Sequence, residues 1–577
     1  MFRPLFAVVL ILWVRFEAYA ESTDFGTRWL EYADAVTNTD AQLTAFGVTR
    51  RNTPLPALVT PGLLDVTSPK FRVLVVVDEH TNEKIRTGVL NDWKAFHRDA
   101  KYRAARQKLA IGLVPVTHPD GTPKTSPEFP PTGTAYSDVD HPESHYLWRW
   151  IGMLAPDLVI VVQDGNALNW TGPARDNRRS LVEALMTNEV CDVGTVGAVN
   201  VEAPEGGGVV RLLVSRFERD GQFPKGSAAN ELRRRRRRSP IDVAEELSSV
   251  YGQSLTAVAY IPSLALIARI RLSELTGNQK HLRDVVRIVR PWVDGSKSSL
   301  EQDVSGSTLS GHLVFGELEK RTGQDQYIAV ARAAADLGFD KDGQPQAAMP
   351  FHHEMSDAVF MGTPILVQVG RLTNQKKYYD MAMRHLQFML TLNLRSDGLH
   401  QHSPADSAGT AWGRGNGFPA LGLALSLSDL PKENHHHARM LDEYQSHLSA
   451  MIRHQGEMGM WHQVVDHAES YRELTVTCMT TFAIIRGLRN RWLDRATYEP
   501  VVRRAWEAIK CRIGRAGRLV DVCTGTGKQK SFRDYLDRTA ILGRDDRGGA
   551  MALMVSTELE FARREGAVRL MHENTPN

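Results

Sequence analysis

Leu272-Ser-Glu-Leu-Thr-Gly277 decides how the larger part of this 577-residue chain is read. It closes an apolar segment with helical spacing at 254–275, and the same Leu-x-x-x-Thr-Gly word closes 310–321 as Leu318-Glu-Lys-Arg-Thr-Gly323. Leu282 or Tyr327 follows within five residues of each copy, and Leu372-Thr-Asn-Gln-Lys-Lys-Tyr378 is a looser third. The word therefore marks the turn of a helical hairpin, repeated along the chain. Further helical segments fall at 281–293, 327–337, 361–372, 377–392, 419–427, 433–453, 473–489, 498–512 and 548–564. A single hairpin cannot bury its apolar face, and about six fit the length, which predicts a closed all-α (α/α)6 barrel over 244–577.

Upstream the pattern changes. Arg72-Val-Leu-Val-Val-Val77 is a continuous β-branched run of the kind buried on both faces of a sheet. Residues 109–116, 158–162 and 209–214 read as further strands, with helices at 84–105 and 148–154. That alternation predicts an α/β domain with a mainly parallel sheet over 67–220. Residues 21–66 read as a lead-in of one helix followed by coil rich in Pro and Thr. Residues 221–243, with Gly, Pro, Ser and the run Arg233 to Arg238, read as an exposed linker. A multidomain chain is what this length requires, since one core stops growing well below it.

Composition excludes several classes. With 42% apolar and 24% charged residues and a net charge of +3, the chain is an ordinary globular protein with no reason to bind nucleic acid. Arg3, the apolar run Leu5 to Val14 and Ala18-Tyr-Ala20 form an export signal over 1–20, which predicts a periplasmic or secreted protein. That run is too short for a membrane span. Four cysteines, Cys191, Cys478, Cys511 and Cys523, are too few for a disulfide framework. Buried thiols are the plain reading, and one bridge between Cys511 and Cys523 is the alternative.

Chemistry gathers between 353 and 418: His353-Glu-Met-Ser-Asp357-Ala-Val-Phe-Met361, Gly398-Leu-His-Gln-His402 and Trp412-Gly-Arg414-Gly-Asn416-Gly-Phe418. Behind it come Gly459-Met-Trp461-His462-Gln463-Val-Val-Asp466, Tyr471-Arg-Glu473-Leu-Thr475-Val-Thr477, Thr524-Gly-Thr526-Gly527 and Asp545-Asp-Arg-Gly548-Gly549. In this order the words resemble those of the unsaturated glycuronyl and rhamnogalacturonyl hydrolases, glycoside hydrolase families 88 and 105. The resemblance implies the same barrel, no cofactor, and a substrate made by a polysaccharide lyase, with a 4,5-unsaturated uronate at its non-reducing end. Such enzymes hydrate the C4=C5 enol ether. It implies Asp357 as acid and base, and His402, Trp412 and Arg414 as sugar-binding. Phe418 and Met355 stand where the family has tryptophan, and Trp461 and His462 sit behind the site.

Each residue also has a structural reading. Asp357 could cap a helix, His402 could be a satisfied turn residue, Arg414 an ion-pair partner, and Trp461 with His462 packing. His435-His-His437 reads as an exposed helix start and not as a metal site. The family's second aspartate falls near Ser307, with Asp303 the nearest carboxylate. A glycan-binding protein without turnover is therefore the alternative function. In the first domain, His80 and Glu83 with the Pro119-Asp120-Gly121 turn after His118 resemble the opening of a zinc carboxypeptidase site. The strand that should end in a third nitrogen ligand ends instead at Gln163, so a degenerate domain without metal is expected. Metallopeptidase or amidase activity is the second alternative.

Overall fold

The computed structural model describes residues 24–570 apart from 122–124, 126, 134–135, 137, 139, 172–179, 220 and 301–302. The expected export signal at 1–20 lies outside the described residues. The chain forms two compact units with their boundary between Arg236 and Arg237, and Ala468–Tyr471 clusters with the first.

In the first unit the elements run α1 (Asp24–Val36), β1 (Gln42–Val48), β2 (Pro54–Val59), β3 (Phe71–Val77), α2 (Glu83–Arg98), β4 (Leu109–Val114), α3 (Pro142–Leu154), β5 (Leu158–Asp164), β6 (Asn169–Thr171), α4 (Leu181–Thr187), β7 (Ala198–Ala203), α5 (Val209–Arg219) and α6 (Ala228–Arg236). The sheet order is β1-β2-β4-β3-β5-β7-β6. Only the central four strands are parallel, and antiparallel strands flank them on both sides, so the sheet is mixed where a mainly parallel one was expected. The two extra strands on one flank come from the supposed lead-in coil. Pro54 and Pro56 lack an amide proton, which argued against a strand, but β2 is aligned in register with β4 only at Leu58↔Leu113 and few of its amides are needed for that pairing.

Two further expectations fail here. The run 209–214 is helix, not strand: Val209, Val210, Leu213 and Val214 are buried at helical spacing while Arg211 is exposed. A run of four to eight apolar residues does not by itself separate the two. The arginine run is no exposed linker either. It ends α6, where Arg235 is 1% exposed and bonds Glu231 at 2.9 Å and Asp192 at 3.2 Å. Arg233 pairs with Asp157 at 3.2 Å and Arg236 with Asp65 at 2.6 Å.

The second unit contains α7 (Pro240–Ser248), α8 (Tyr260–Thr276), α9 (Gln279–Val293), α10 (Gly306–Gly311), α11 (Leu313–Thr322), α12 (Gln326–Asp336), α13 (Ala358–Thr373), α14 (Lys376–Asn393), α15 (Gly413–Asp429), α16 (His437–Ile452), α17 (Leu474–Arg489), α18 (Arg495–Arg512), β8 (Leu519–Cys523), α19 (Phe532–Leu536), β9 (Ala540–Gly543) and α20 (Asp546–Arg564). Helices α8, α10–α11, α13, α15, α17 and α20 each pack on the next, and α20 returns to α8. Helices α9, α12, α14, α16 and α18 each pack on the outside of the inner helix that precedes them, and α7 covers α20. Inner helices such as α13 and α17 are buried almost all round, whereas α9 buries one stripe, Val285, Val289 and Trp292.

The repeated Thr-Gly word has a physical cause. Thr276, Thr322 and Thr373 each bond the carbonyl four residues back, at 2.7, 2.8 and 2.7 Å. The next residue, Gly277, Gly323 or Asn374, takes the left-handed conformation that ends the helix, at φ 71°, 65° and 53°.

Candidate functional site

The inner helices carry their N-terminal ends to one side of the ring, and the residues singled out from the sequence lie there. Asp357 occupies the position before the first turn of α13, yet its carboxylate makes no capping bond. The preceding turn is held by left-handed Phe351, His353 and Glu354, and Ser356 Oγ donates to the Gly415 carbonyl at 2.7 Å. A Cβ on Gly415 would stand 3.0 Å from that hydroxyl and 2.9 Å from the Trp412 ring, which explains the glycine in the Trp-x-Arg-Gly word.

Asp357 is 8% exposed, and its Oδ1 has no hydrogen-bond partner. His402 Nε2, fully buried and also without one, faces that oxygen at 3.5 Å. The other imidazole nitrogen, Nδ1, meets the Tyr535 hydroxyl at 2.9 Å. Burial pushes the pKa of that phenol up, so it stays protonated and can donate to Nδ1. With the phenol as donor, the imidazole proton would sit on Nε2, toward the carboxylate. Trp412 packs its ring on His402 with centroids 4.4 Å apart, and its indole N–H is buried without a partner.

Arg414 is largely engaged within the protein. Its two terminal nitrogens donate to the carbonyls of Cys523 and Thr524 at 2.6 and 2.7 Å, and its plane lies over Trp412 at 4.7 Å. Burial opposes its charge, but Cys523, Tyr260, Glu473 and Asp357 hold its pKa above the ordinary arginine value. Only Nε is left without a partner. Arg414 thus secures the end of β8 as well as bordering the site. Asn416 likewise ties elements together, accepting from His400 N at 2.8 Å and donating to the His400 carbonyl at 2.9 Å.

Phe418 belongs to an aromatic cluster with Phe360, stacked at 5.5 Å, and Tyr260, edge-on at 5.6 Å. Trp461 is fully buried and bonds the Met451 carbonyl at 2.8 Å, so packing describes it better than sugar contact. His462 is buried beside it, and its carbonyl lies 2.5 Å from where a Cβ on Gly413 would be. Met355 is half-buried in the turn before Asp357. Ser307, where a second carboxylate was sought, accepts from Tyr260 N at 3.3 Å, and Asp303 is exposed.

Two residues, Tyr535 and Tyr260, were not legible as members of the site, and Arg547, although inside the Asp-Asp-Arg-Gly-Gly word, was not singled out. Tyr535 reaches His402 from 133 positions away. Tyr260 lies against Phe360 and Phe418, and Arg547 bonds the Cys523 carbonyl at 3.3 Å and Asp545 at 3.2 Å. Glu473, fully buried, binds the parts: it accepts from Thr475 N, Val476 N and Cys523 N at 2.9, 2.7 and 2.9 Å, joining α17 to β8.

The first unit holds a cavity of about 170 Å³ at the carboxyl ends of β3 and β5, lined in part by Glu79, His80, His118, Glu143 and Gln163. The His-x-x-Glu pair is not assembled there. Glu83 turns to Arg28 at 3.1 Å, while His80 Nε2 lies 3.7 Å from Glu79. Burial raises the Glu79 pKa to about 7 and lowers that of His118 to about 4. His118 Nε2 faces Glu143 at 3.8 Å.

Comparison with known proteins places these features in context. The profile of Glycosyl Hydrolase Family 88 matches residues 247–562. An unsaturated 3S-rhamnoglycuronyl hydrolase from Formosa agariphila is 32% identical over 171 residues, 26% of this chain and 45% of that protein, so the chain spans under half of that relative. An unsaturated rhamnogalacturonyl hydrolase from Bacillus subtilis is 24% identical over 286 residues, 45% of this chain and 78% of that protein. Among solved structures, a family 105 glycoside hydrolase from C. acetobutylicum superposes with a TM-score of 0.48 at 18% identity, covering 55% of this chain and 99% of that one.

Proposed function

The chain belongs to glycosyl hydrolase family 88, and from that premise we propose that it removes a 4,5-unsaturated uronate from the non-reducing end of oligosaccharides left by a polysaccharide lyase. Asp357 is the acid and base. As the acid it gives a proton to C4 of the enol ether, and as the carboxylate it then takes one from the water that adds at C5. The hemiketal so formed opens its ring and expels the remaining sugar chain. His402 Nε2, facing Asp357 Oδ1 at 3.5 Å, shares the carboxylate's proton traffic and holds its orientation. The observation that carries the reading is that Asp357 stands at a helix start without capping it, aimed at an equally unpartnered imidazole.

Several features support it. The ring of inner helices is read as the (α/α)6 barrel, and the positive ends of its helix dipoles favour an anionic sugar at this side. The Arg414 Nε and the Trp412 indole N–H are donors left for that ligand. The names of the curated relatives point to rhamnose-linked uronates, of the pectin or ulvan kind, ahead of glycosaminoglycans. Residues 1–20 would export the enzyme to where such polymers are degraded.

One point favours the second reading, a glycan binder without turnover: counting along the sequence for the family's second aspartate lands near Ser307, whose hydroxyl accepts from Tyr260 N. Ultraviolet absorbance separates the two, because hydration destroys the conjugated double bond. A panel of lyase digests should lose absorbance with the wild type. Saturable binding with unchanged absorbance on every digest would establish the binder instead. The peptidase reading of the first unit gains no support, since Glu83 is engaged by Arg28 away from His80.

A further inference from the structure

His435 and His436 were read from the sequence as part of an exposed helix start, but the fold brings them a third ligand. Asp380, in the first turns of α14, faces the turn that precedes α16. His436 Nε2 lies 2.9 Å from Asp380 Oδ1 and His435 Nε2 lies 3.8 Å from the same oxygen. The two rings are tilted against each other with centroids 3.8 Å apart. Among the described residues this is the one group of at least three histidine, cysteine, aspartate or glutamate side chains whose ligand atoms all lie within 4.8 Å of one another.

We propose that Asp380, His435 and His436 form a binding site for a transition-metal dication of the Zn2+ type. Two imidazoles and one carboxylate are the donor set that selects such ions over Ca2+ or Mg2+, which take oxygen ligands. Zinc bonds nitrogen and oxygen at about 2.0–2.2 Å, so its ligand atoms stand roughly 3.3–3.6 Å apart in a tetrahedron. The 2.9 and 3.8 Å separations bracket that spacing, and the exposed Asp380 and His435 side chains are free to turn by the small amount required. Water would complete the coordination. Asp380 and the histidines lie in different outer hairpins, so a bound ion staples α14 to the turn that begins α16. The site is on the order of 20 Å along α14 from Asn393, the residue whose amide bonds the Glu354 carbonyl near Asp357. The ion is therefore a structural staple, independent of the glycan reaction.

The test uses the full chain, stripped with chelator and titrated with ZnCl2 by calorimetry in a non-coordinating buffer at neutral pH. The expected result is a single saturable site and a higher melting temperature with zinc. His435→Ala, His436→Ala and Asp380→Asn should each weaken that site at least tenfold and abolish the zinc-dependent rise, while melting unchanged without metal. His80→Ala should leave both readouts as in the wild type. No saturable zinc binding, or binding of wild-type strength in the His435→Ala/His436→Ala double variant, overturns the proposal.

Discussion

The Asp357 carboxylate is buried beside His402 and spared from capping, so replacing it tests chemistry with little disturbance of α13. Asp357→Asn should lower turnover roughly a hundredfold to ten-thousandfold while substrate still binds, measured as loss of ultraviolet absorbance together with binding calorimetry. Near-wild-type turnover in that variant would remove Asp357 from the reaction. Tyr535→Phe should cost about five- to tenfold in kcat with KM little changed, and should displace the pH profile, because His402 Nδ1 loses its hydroxyl partner. Arg414→Ala should raise KM and also lower the melting temperature, since two backbone carbonyls at the end of β8 lose their donors. At this scale the sequence was legible where function writes a word. Asp357, His402, Trp412 and Arg414 sit in compact motifs, and the fold brings them together. Tyr535 and Tyr260 were invisible because they meet the others only through the folded ring, and the carbonyls of Cys523 and Thr524 that hold Arg414 lie more than a hundred residues from it in sequence.

Element by element, three helices of the second unit, α8, α11 and α13, were readable because each ends on the same device, a back-bonding threonine and a left-handed residue. The strand at 54–59 was not, since its prolines argued for coil, nor was its partner at 42–48, and 209–214 was too short to reveal its period. One helix contact links acid stability to the site. His385 on α14 is buried between α13 and the preceding loop, with Nε2 against the Ala358 carbonyl at 2.8 Å and Nδ1 accepting from Met349 N at 3.2 Å. Burial lowers its pKa from 6.5 to about 4. The folded state therefore prefers the neutral ring, and its contribution is whole above pH 6.5 and drains away as pH falls from 6.5 toward 4. The melting temperature should fall across that window, and His385→Gln should start lower and show a flatter slope. The slope should persist in part, because His312 is depressed to about 4 by burial in the same unit.

Across the whole second unit, the ring closes over one buried carboxylate. Glu558 of α20 is fully buried and bonded by Arg271 of α8 and by Arg486 and Arg489 of α17, the last two at 2.7 Å. Burial would raise its pKa, but the three guanidinium groups hold it well below the ordinary carboxylate range. Glu558→Gln would leave three cations facing a neutral amide, and should destabilise this unit by about 3–5 kcal/mol in urea unfolding. The same closure sets a timetable for synthesis. Arg271 and Glu558 are separated by 287 residues, so at about 5–20 residues per second a ribosome needs roughly 15–60 s to deliver the second after the first. Throughout that interval α8 has no neighbour on one side, and its apolar flank is open to other nascent chains and to chaperones. The slow, vulnerable stage in making this protein is thus the wait for its last long helix.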